Sequence, residues 1–155
     1  RAITLAAPAR LRVLLYRRLV LRVAEAIAEQ EGALGIVTGE SLSQVASQTL
    51  ENLGAVGAVA TLPVLRPLVG HDKVEIIDEA RRIGTYDLSV LPHQDCCTLF
   101  EPREAATRTT AEALTEAEAE LDIEGAVSRS LGGARRIVPG GSSTASRQET
   151  GTVPS

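Results

Sequence analysis

The sequence predicts an α/β fold built on a parallel sheet, and three observations carry that reading. An apolar run closing on Ile36-Val37 stops at Thr38-Gly39-Glu40, and a helical pattern begins within two residues. A strand that delivers the chain to a helix N-terminus is where α/β proteins often hold nucleotides. A second short apolar run, at residues 62–68, follows that helix and leads into another, giving the order strand, helix, strand, helix. Apolar residues make up 44% of the 155 and aromatic residues 2%, so the core must be aliphatic. Only two strands are evident, and a doubly wound sheet needs more. The chain opens at Arg1 and contains no methionine, so a fragment is expected, with the missing strands before Arg1.

Residues 11–31 read as the first helix. Leu11, Leu15, Leu19, Val23 and Ile27 recur every four positions as an apolar stripe. Arg10, Arg12, Arg17, Arg18 and Arg22 crowd its first half, and Glu25, Glu29 and Glu31 its second. That order opposes the helix dipole, which favours acids first. Two readings follow: a solvated face with Arg22–Glu25 pairing, or a basic surface kept for phosphate. Gly32 ends the helix, and residues 33–38 form a buried strand. Ser41-x-x-Gln44 has the capping-box pattern, which makes Ser41 the expected N-cap of the second helix. Leu42, Val45, Ala46, Thr49, Leu50 and Leu53 would be its packed face. Ser43, Gln44, Ser47, Gln48, Glu51 and Asn52 would be its polar face, uncharged until Glu51 and suited to amide bonding with a base or ribose, or to plain solvent.

Pro63 marks the start of the second strand, since proline cannot donate a ladder bond. Arg66 lies at the strand's C-terminal end, the ligand side of open α/β sheets. Asp72-x-x-Glu75 caps the next helix, whose Val74, Ile76, Ile77, Ala80 and Ile83 form an expected buried stripe. Arg81 and Arg82 suit its negative end, and Gly84 its C′ stop. Residues 85–108 are loop-rich, and 111–121 read as one more helix. From about Gly125 the chain is rich in Gly, Ser, Thr and Arg, and reads as a disordered tail.

Net charge is −4, so nucleic-acid binding finds no support in overall charge and must rest on local clusters. No apolar stretch reaches membrane-spanning length, no signal peptide is evident, and the default is a cytoplasmic protein. Cys96 and Cys97 lack the C-x-x-C spacing of redox or zinc pairs, and no metal site is expected. They read either as small buried hydrophobes or as exposed thiols in a polar loop, where a lowered pKa would make a nucleophile. Asp95 alongside works against that lowering. Gly39 reads as a tight turn or as bare backbone that a ligand can approach. Gln48 reads as a solvent-facing amide or as one reaching a nucleotide laid along the second helix.

Arg17-Arg18 through Arg22, Val37-Thr38-Gly39-Glu40-Ser41, Gln44-Val45-Ala46-Ser47-Gln48-Thr49-Leu50, Leu65-Arg66-Pro67-Leu68, Asp72-Lys73, Ala80-Arg81-Arg82-Ile83-Gly84-Thr85 and Asp95-Cys96-Cys97 form one set of segments. In this order and spacing, they together resemble the tRNA 4-thiouridine synthetase (tRNA sulfurtransferase) family. The likeness runs from about residue 16 to 107. It implies the C-terminal half of an ATP-pyrophosphatase (PP-loop) domain at residues 1–124, of the adenine nucleotide alpha-hydrolase type, with the tail at 125–155. It also implies ATP as cosubstrate with Mg2+, activation of a tRNA uridine as an adenylate, and sulfur delivered from a persulfide charged by a cysteine desulfurase. Some members also supply sulfur for thiamine thiazole. By the same likeness Arg17, Gly39 and Gln48 match nucleotide contacts, and Cys96 the sulfur-transfer cysteine.

The family's Ser-Gly-Gly-x-Asp-Ser phosphate loop, its RNA-binding domains and a rhodanese-like domain are absent from the sequence. The expectation is therefore part of a tRNA sulfurtransferase that is inactive alone. The alternative is a truncated, non-catalytic nucleotide-binding module of the same fold, and a different ATP-pyrophosphatase ranks last. A homodimer is left open, because the sequence shows no interface.

Overall fold

The computed structural model describes residues 7–42, 47–92 and 106–137. A 3-10 turn over Ala9–Leu11 leads into α1 (Arg12–Gln30), the longest element among these residues. β1 (Ile36–Val37) and β2 (Val64–Leu65) pair in parallel, with Ile36 opposite Val64 and Val37 opposite Leu65. Ile36 N donates to Pro63 O at 2.9 Å, and Thr38 N to Leu65 O at 2.9 Å. Between the strands lies α2 (Leu50–Gly57), so this is the expected strand–helix–strand unit. Beyond β2 come α3 (Lys73–Arg82), the single turn α4 (Tyr86–Ser89), α5 (Ala111–Glu118) and α6 (Ile123–Gly132).

The core is aliphatic. Leu11, Leu14, Leu15, Leu21 and Ala28 of the first segment pack with Ile36, Ala55, Val56 and Leu114. Burying a side chain such as Leu14 is worth about 1.5–3 kcal/mol. The buried line is not the predicted every-fourth stripe, since Ile27 is 40% exposed. A four-residue step turns about 40° past a full circle, so such a stripe precesses off the contact face. The line that stays on the core runs Leu11, Leu14, Leu15, Arg18, Leu21, Glu25 and Ala28.

Two charged residues sit in that line because their partners lie across the fold. Arg18 donates from Nη1 to Glu118 Oε2 at 2.9 Å, and Arg22 places Nη1 and Nη2 on the same carboxylate at 2.7 and 2.9 Å. Burial pulls the Arg18 guanidinium below its ordinary pKa, Glu118 opposes that, and the Arg22 charge adds to it. Glu25 accepts from Thr61 N, Thr61 Oγ1 and Leu62 N at 2.6–2.9 Å, fastening the loop ahead of β2. Burial alone would raise the Glu25 carboxyl, but the donors from Leu62 and Thr61 bring it below its usual range. The α1 charges do not act as one solvated or basic face. Arg22 pairs with Glu118 rather than Glu25, and Arg18, 1% exposed, is no surface cation.

The second helix begins later than its capping pattern suggested. Thr49, not Ser41, is the N-cap, its Oγ1 accepting from Asn52 N at 3.2 Å. Ser41 instead donates to His71 O at 2.8 Å, and Leu42 N reaches Val69 O. A tertiary carbonyl has taken the hydroxyl that the pattern assigned to a helix end. The expected faces shift as well. Leu50 is 67% exposed, while Asn52 is fully buried, its Nδ2 on Ala106 O at 2.8 Å.

α3 carries the predicted capping box, Asp72 accepting from Val74 N and Glu75 N while Glu75 accepts from Asp72 N. Gly32 and Gly84 close their helices at φ +66° and +75°, where a side chain would be strained. The α3 stripe, however, is only half-buried at Ile76, Ile77 and Ala80, while Val74 is 65% and Ile83 56% exposed. The region read as tail also departs from expectation at its start. Ile123, Val127 and Leu131, half-buried at four-residue spacing, form the inner side of α6, which packs on α1. Residues 138–155 lie outside the described residues.

Candidate functional site

The C-terminal ends of β1 and β2, together with one face of α1, enclose a cavity of about 700 Å³. Val13, Val20, Leu21, Ala24, Ile36, Val37, Val56 and Val64 give it apolar walls, and Arg17, Thr38, Gly39, Glu40, Ser47, Gln48 and Arg66 its polar groups. Arg17, Gly39 and Gln48, well separated in sequence, all line this one cavity. Each arrives from a different element: Arg17 from α1, Gly39 from the loop after β1, and Gln48 from the segment just before α2. Gln48 is thus not two turns inside a helix, as expected, but two residues ahead of one.

The charged part of the cavity is a three-residue cluster. Glu40 pairs through Oε1 with Arg17 Nη2, and accepts from Arg66 Nε at 2.6 Å and Thr38 Oγ1 at 3.1 Å through Oε2. Arg17 Nη1 also donates to Ser47 O at 3.2 Å, and Arg66 Nη2 to Leu53 O at 3.4 Å. Two guanidiniums against one carboxylate leave the cluster one positive charge. Nothing in the local Thr38-Gly39-Glu40 pattern assigns Glu40 a role. Its signal, an acid shortly after one strand, an arginine directly after the other and a second arginine within α1, becomes legible only once the strands are paired.

Gly39 and Gln48 bear on whether a nucleoside fits. A Cβ at Gly39 would meet nothing within 4 Å, and its φ is not positive, so neither packing nor a left-handed turn demands glycine there. Gln48 Oε1 is buried with no hydrogen-bond partner among the described residues. A buried, unpaired amide oxygen costs about 1–3 kcal/mol, and a turn of the Gln48 side chain toward the cavity would let a ligand N–H or O–H recover it. Apolar walls for a base, an unpaired amide and a cationic end are the donor and acceptor set that a nucleotide such as ATP needs.

Cys96 lies outside the described residues, as do Cys97 and His93. Among the described residues no cluster of His, Cys, Asp or Glu could hold a metal ion, and no helix is long and apolar enough to cross a membrane.

Fold and cavity define the class: an α/β protein with its cavity at the C-terminal ends of parallel strands. Residues 1–123 match the family model described as thiamine biosynthesis protein (ThiI), and the chain belongs to that family. It is 60% identical over 124 residues to a probable tRNA sulfurtransferase of Thermus thermophilus, covering 80% of this chain and 30% of that protein. A probable tRNA sulfurtransferase of Caldanaerobacter subterraneus is 50% identical over 117 residues, 76% of this chain and 31% of that protein. Among solved structures, a 4-thiouridine synthetase–RNA complex with bound ATP superposes with a TM-score of 0.78 at 41% identity, covering 85% of this chain and 34% of that one. The chain thus spans under a third of the length of these two relatives.

Proposed function

We propose that this chain is the nucleotide-binding rear part of an ATP-dependent tRNA sulfurtransferase, a cytoplasmic enzyme that converts a tRNA uridine to 4-thiouridine. The observation that carries this reading is the convergence of Arg17, Gly39 and Gln48 on one cavity that holds an unpaired buried amide oxygen. In this role ATP, with Mg2+ at its phosphates, supplies the adenylyl group that activates the uracil oxygen for departure. Arg17 holds phosphate charge, the bare backbone at Gly39 lets the nucleotide approach, and Gln48 accepts a hydrogen bond from base or ribose. Cys96 acts as the sulfur nucleophile, fed by a cysteine desulfurase. The similarity to a synthetase solved with RNA and ATP supports both substrates. Supply of sulfur for thiamine thiazole is a second output, which the family's description supports.

The test uses the full-length protein with ATP, tRNA, cysteine and a cysteine desulfurase, and measures 4-thiouridine in digested tRNA by mass spectrometry. Thiolation that Cys96→Ser abolishes, with ATP affinity unchanged, is the expected result. Equal thiolation by the variant would sink the cysteine assignment. ATP binding without any conversion to AMP would favour the non-catalytic module instead. Residues 1–155 alone should convert no ATP to AMP, and measurable turnover would overturn that part of the proposal.

A further inference from the structure

The cavity holds two residues that no likeness assigned a role, Glu40 and Arg66. We infer that Arg66 is a second phosphate-binding guanidinium of this site, and that Glu40 is the positioning residue that sets Arg66 and Arg17 side by side for the phosphate attached to the nucleoside. The inference rests on reading this cavity as a nucleotide site.

Glu40 sits directly after β1 and is tied down by three donors, from Arg17, Arg66 and Thr38. Its side chain is 14% exposed and each arginine side chain 20%, so the cluster is largely withdrawn from water but open on the cavity side. Arg66 is braced at two of its nitrogens, Nε on Glu40 and Nη2 on Leu53 O. Its Nη1 has no hydrogen-bond partner among the described residues, leaving N–H groups for a ligand oxygen. A guanidinium fixed on one edge and open on another is prepared for a phosphate at little further entropic cost.

Charge selects the ligand. The cluster carries a single net positive charge. It suits one phosphate group, and the unpaired amide and apolar walls in the same cavity suit the nucleoside bearing it. The anion is therefore the phosphate nearest the ribose, common to ATP, AMP and an adenylated product.

Glu40 could instead be a stand-in for the phosphate, displaced when nucleotide arrives. The third donor argues against this. Thr38 Oγ1 shares Oε2 with Arg66, so leaving would strand a hydroxyl as well as two guanidiniums. Gln at position 40 would offer one acceptor where three donors converge, and its amide N–H groups would face guanidinium N–H groups.

The experiment is calorimetric titration of the full-length protein with AMP, ATP and adenosine. Arg66→Ala should weaken AMP and ATP alike by about tenfold, the scale of one charged hydrogen bond, and leave adenosine within twofold. Arg66→Lys should fall between, which keeps the test available if the alanine variant folds poorly. Glu40→Gln should weaken AMP severalfold with adenosine unchanged, and Glu40→Asp should restore part of the loss. Tighter AMP binding by Glu40→Gln would show a competing carboxylate and overturn the positioning role. Equal loss of AMP and adenosine in correctly folded Arg66→Lys would show a merely structural arginine. Loss for ATP without loss for AMP would move Arg66 to a more distant phosphate and overturn the assignment. If the unaltered protein binds none of the three, the nucleotide reading fails and this inference falls with it. Wild-type binding with no response to any variant defeats this inference alone.

Discussion

The molecule contains the same ionic trio twice, two arginines on one glutamate, and puts the two copies to opposite uses. Arg18 and Arg22 meet Glu118 between α1 and α5. Arg17 and Arg66 meet Glu40 at the end of the strands. Arg17 and Arg18 are consecutive, and about 100° of helix rotation sends one to the cavity and the other to the core. In the core copy Arg22 lies at the rim, its side chain 25% exposed, and the inner arginine, Arg18, is closed. Arg18 spends Nε on Ala55 O, Nη1 on Thr115 Oγ1 and Glu118, and Nη2 on Ala111 O. The cavity copy keeps unpartnered donors on Arg66. What separates a brace from a binding site is thus not residue type or charge but how many donors the fold leaves unspent.

The largest break in that comparison is Glu118→Ala. It leaves a buried guanidinium without its counter-charge, a change that costs about 3–5 kcal/mol. Urea denaturation should show this loss, while nucleotide affinity of the folded protein stays the same. A loss below about 1 kcal/mol would mean that the trio is as loosely held as a surface pair, and the contrast would collapse.

A smaller effect comes from Glu25, the buried acid on α1. Its three donors hold the folded carboxyl below the ordinary 4.5, so its contribution is fully present above that value. It fades as pH falls through the depressed folded value. Glu25→Gln should therefore cost stability at neutral pH, about 1.5–3 kcal/mol by the scale of charged hydrogen bonds. The gap between wild type and variant should narrow as the solution is acidified below 4.5. A gap constant down to strong acid would show that the carboxylate is not what the loop at Thr61 and Leu62 holds.

Sequence patterning revealed what is local and missed what is long-range. The Asp72–Glu75 box, the Gly32 and Gly84 stops and the strand–helix–strand order all depend on residues a few positions apart, and all stand. Ser41 carried an equally good capping pattern, yet His71 O, thirty residues away, holds its hydroxyl. The Arg18 partner lies a hundred residues away, so the α1 arginines could be counted but not sorted. The α3 stripe had the right period, but periodicity names a face without naming what covers it. The α6 helix was hidden for the reverse reason: glycine and serine content drew the eye from the Ile123, Val127, Leu131 repeat. Of the candidate site, three residues were legible through family resemblance, and Glu40 needed β1 beside β2.

On the cavity side, Gln48→Ala removes the unpaired amide. If that oxygen accepts from a nucleoside, affinity for adenosine and AMP should fall equally, by about 0.5–1.5 kcal/mol. This is the complement of the Arg66 result, which spares adenosine. A Gln48 variant that binds adenosine as well as wild type would leave the buried oxygen without a ligand role.

The smallest effect probes how firmly the open guanidinium is held. A Cβ added at Gly57, the last residue of α2, would lie 3.1 Å from Arg66 Nη2. The guanidinium ends a flexible side chain and can yield by a few tenths of an ångström, so Gly57→Ala should fold normally. Replacing glycine near a helix end gains at most about 0.5–1 kcal/mol of stability. AMP affinity should drop about twofold, well under 1 kcal/mol, because Arg66 shifts without losing its charge. Adenosine affinity should not move. A drop in AMP affinity as large as that of Arg66→Ala would mean that the position of the guanidinium, rather than its charge, dominates phosphate binding. The open trio would then be as finely fitted as the closed one.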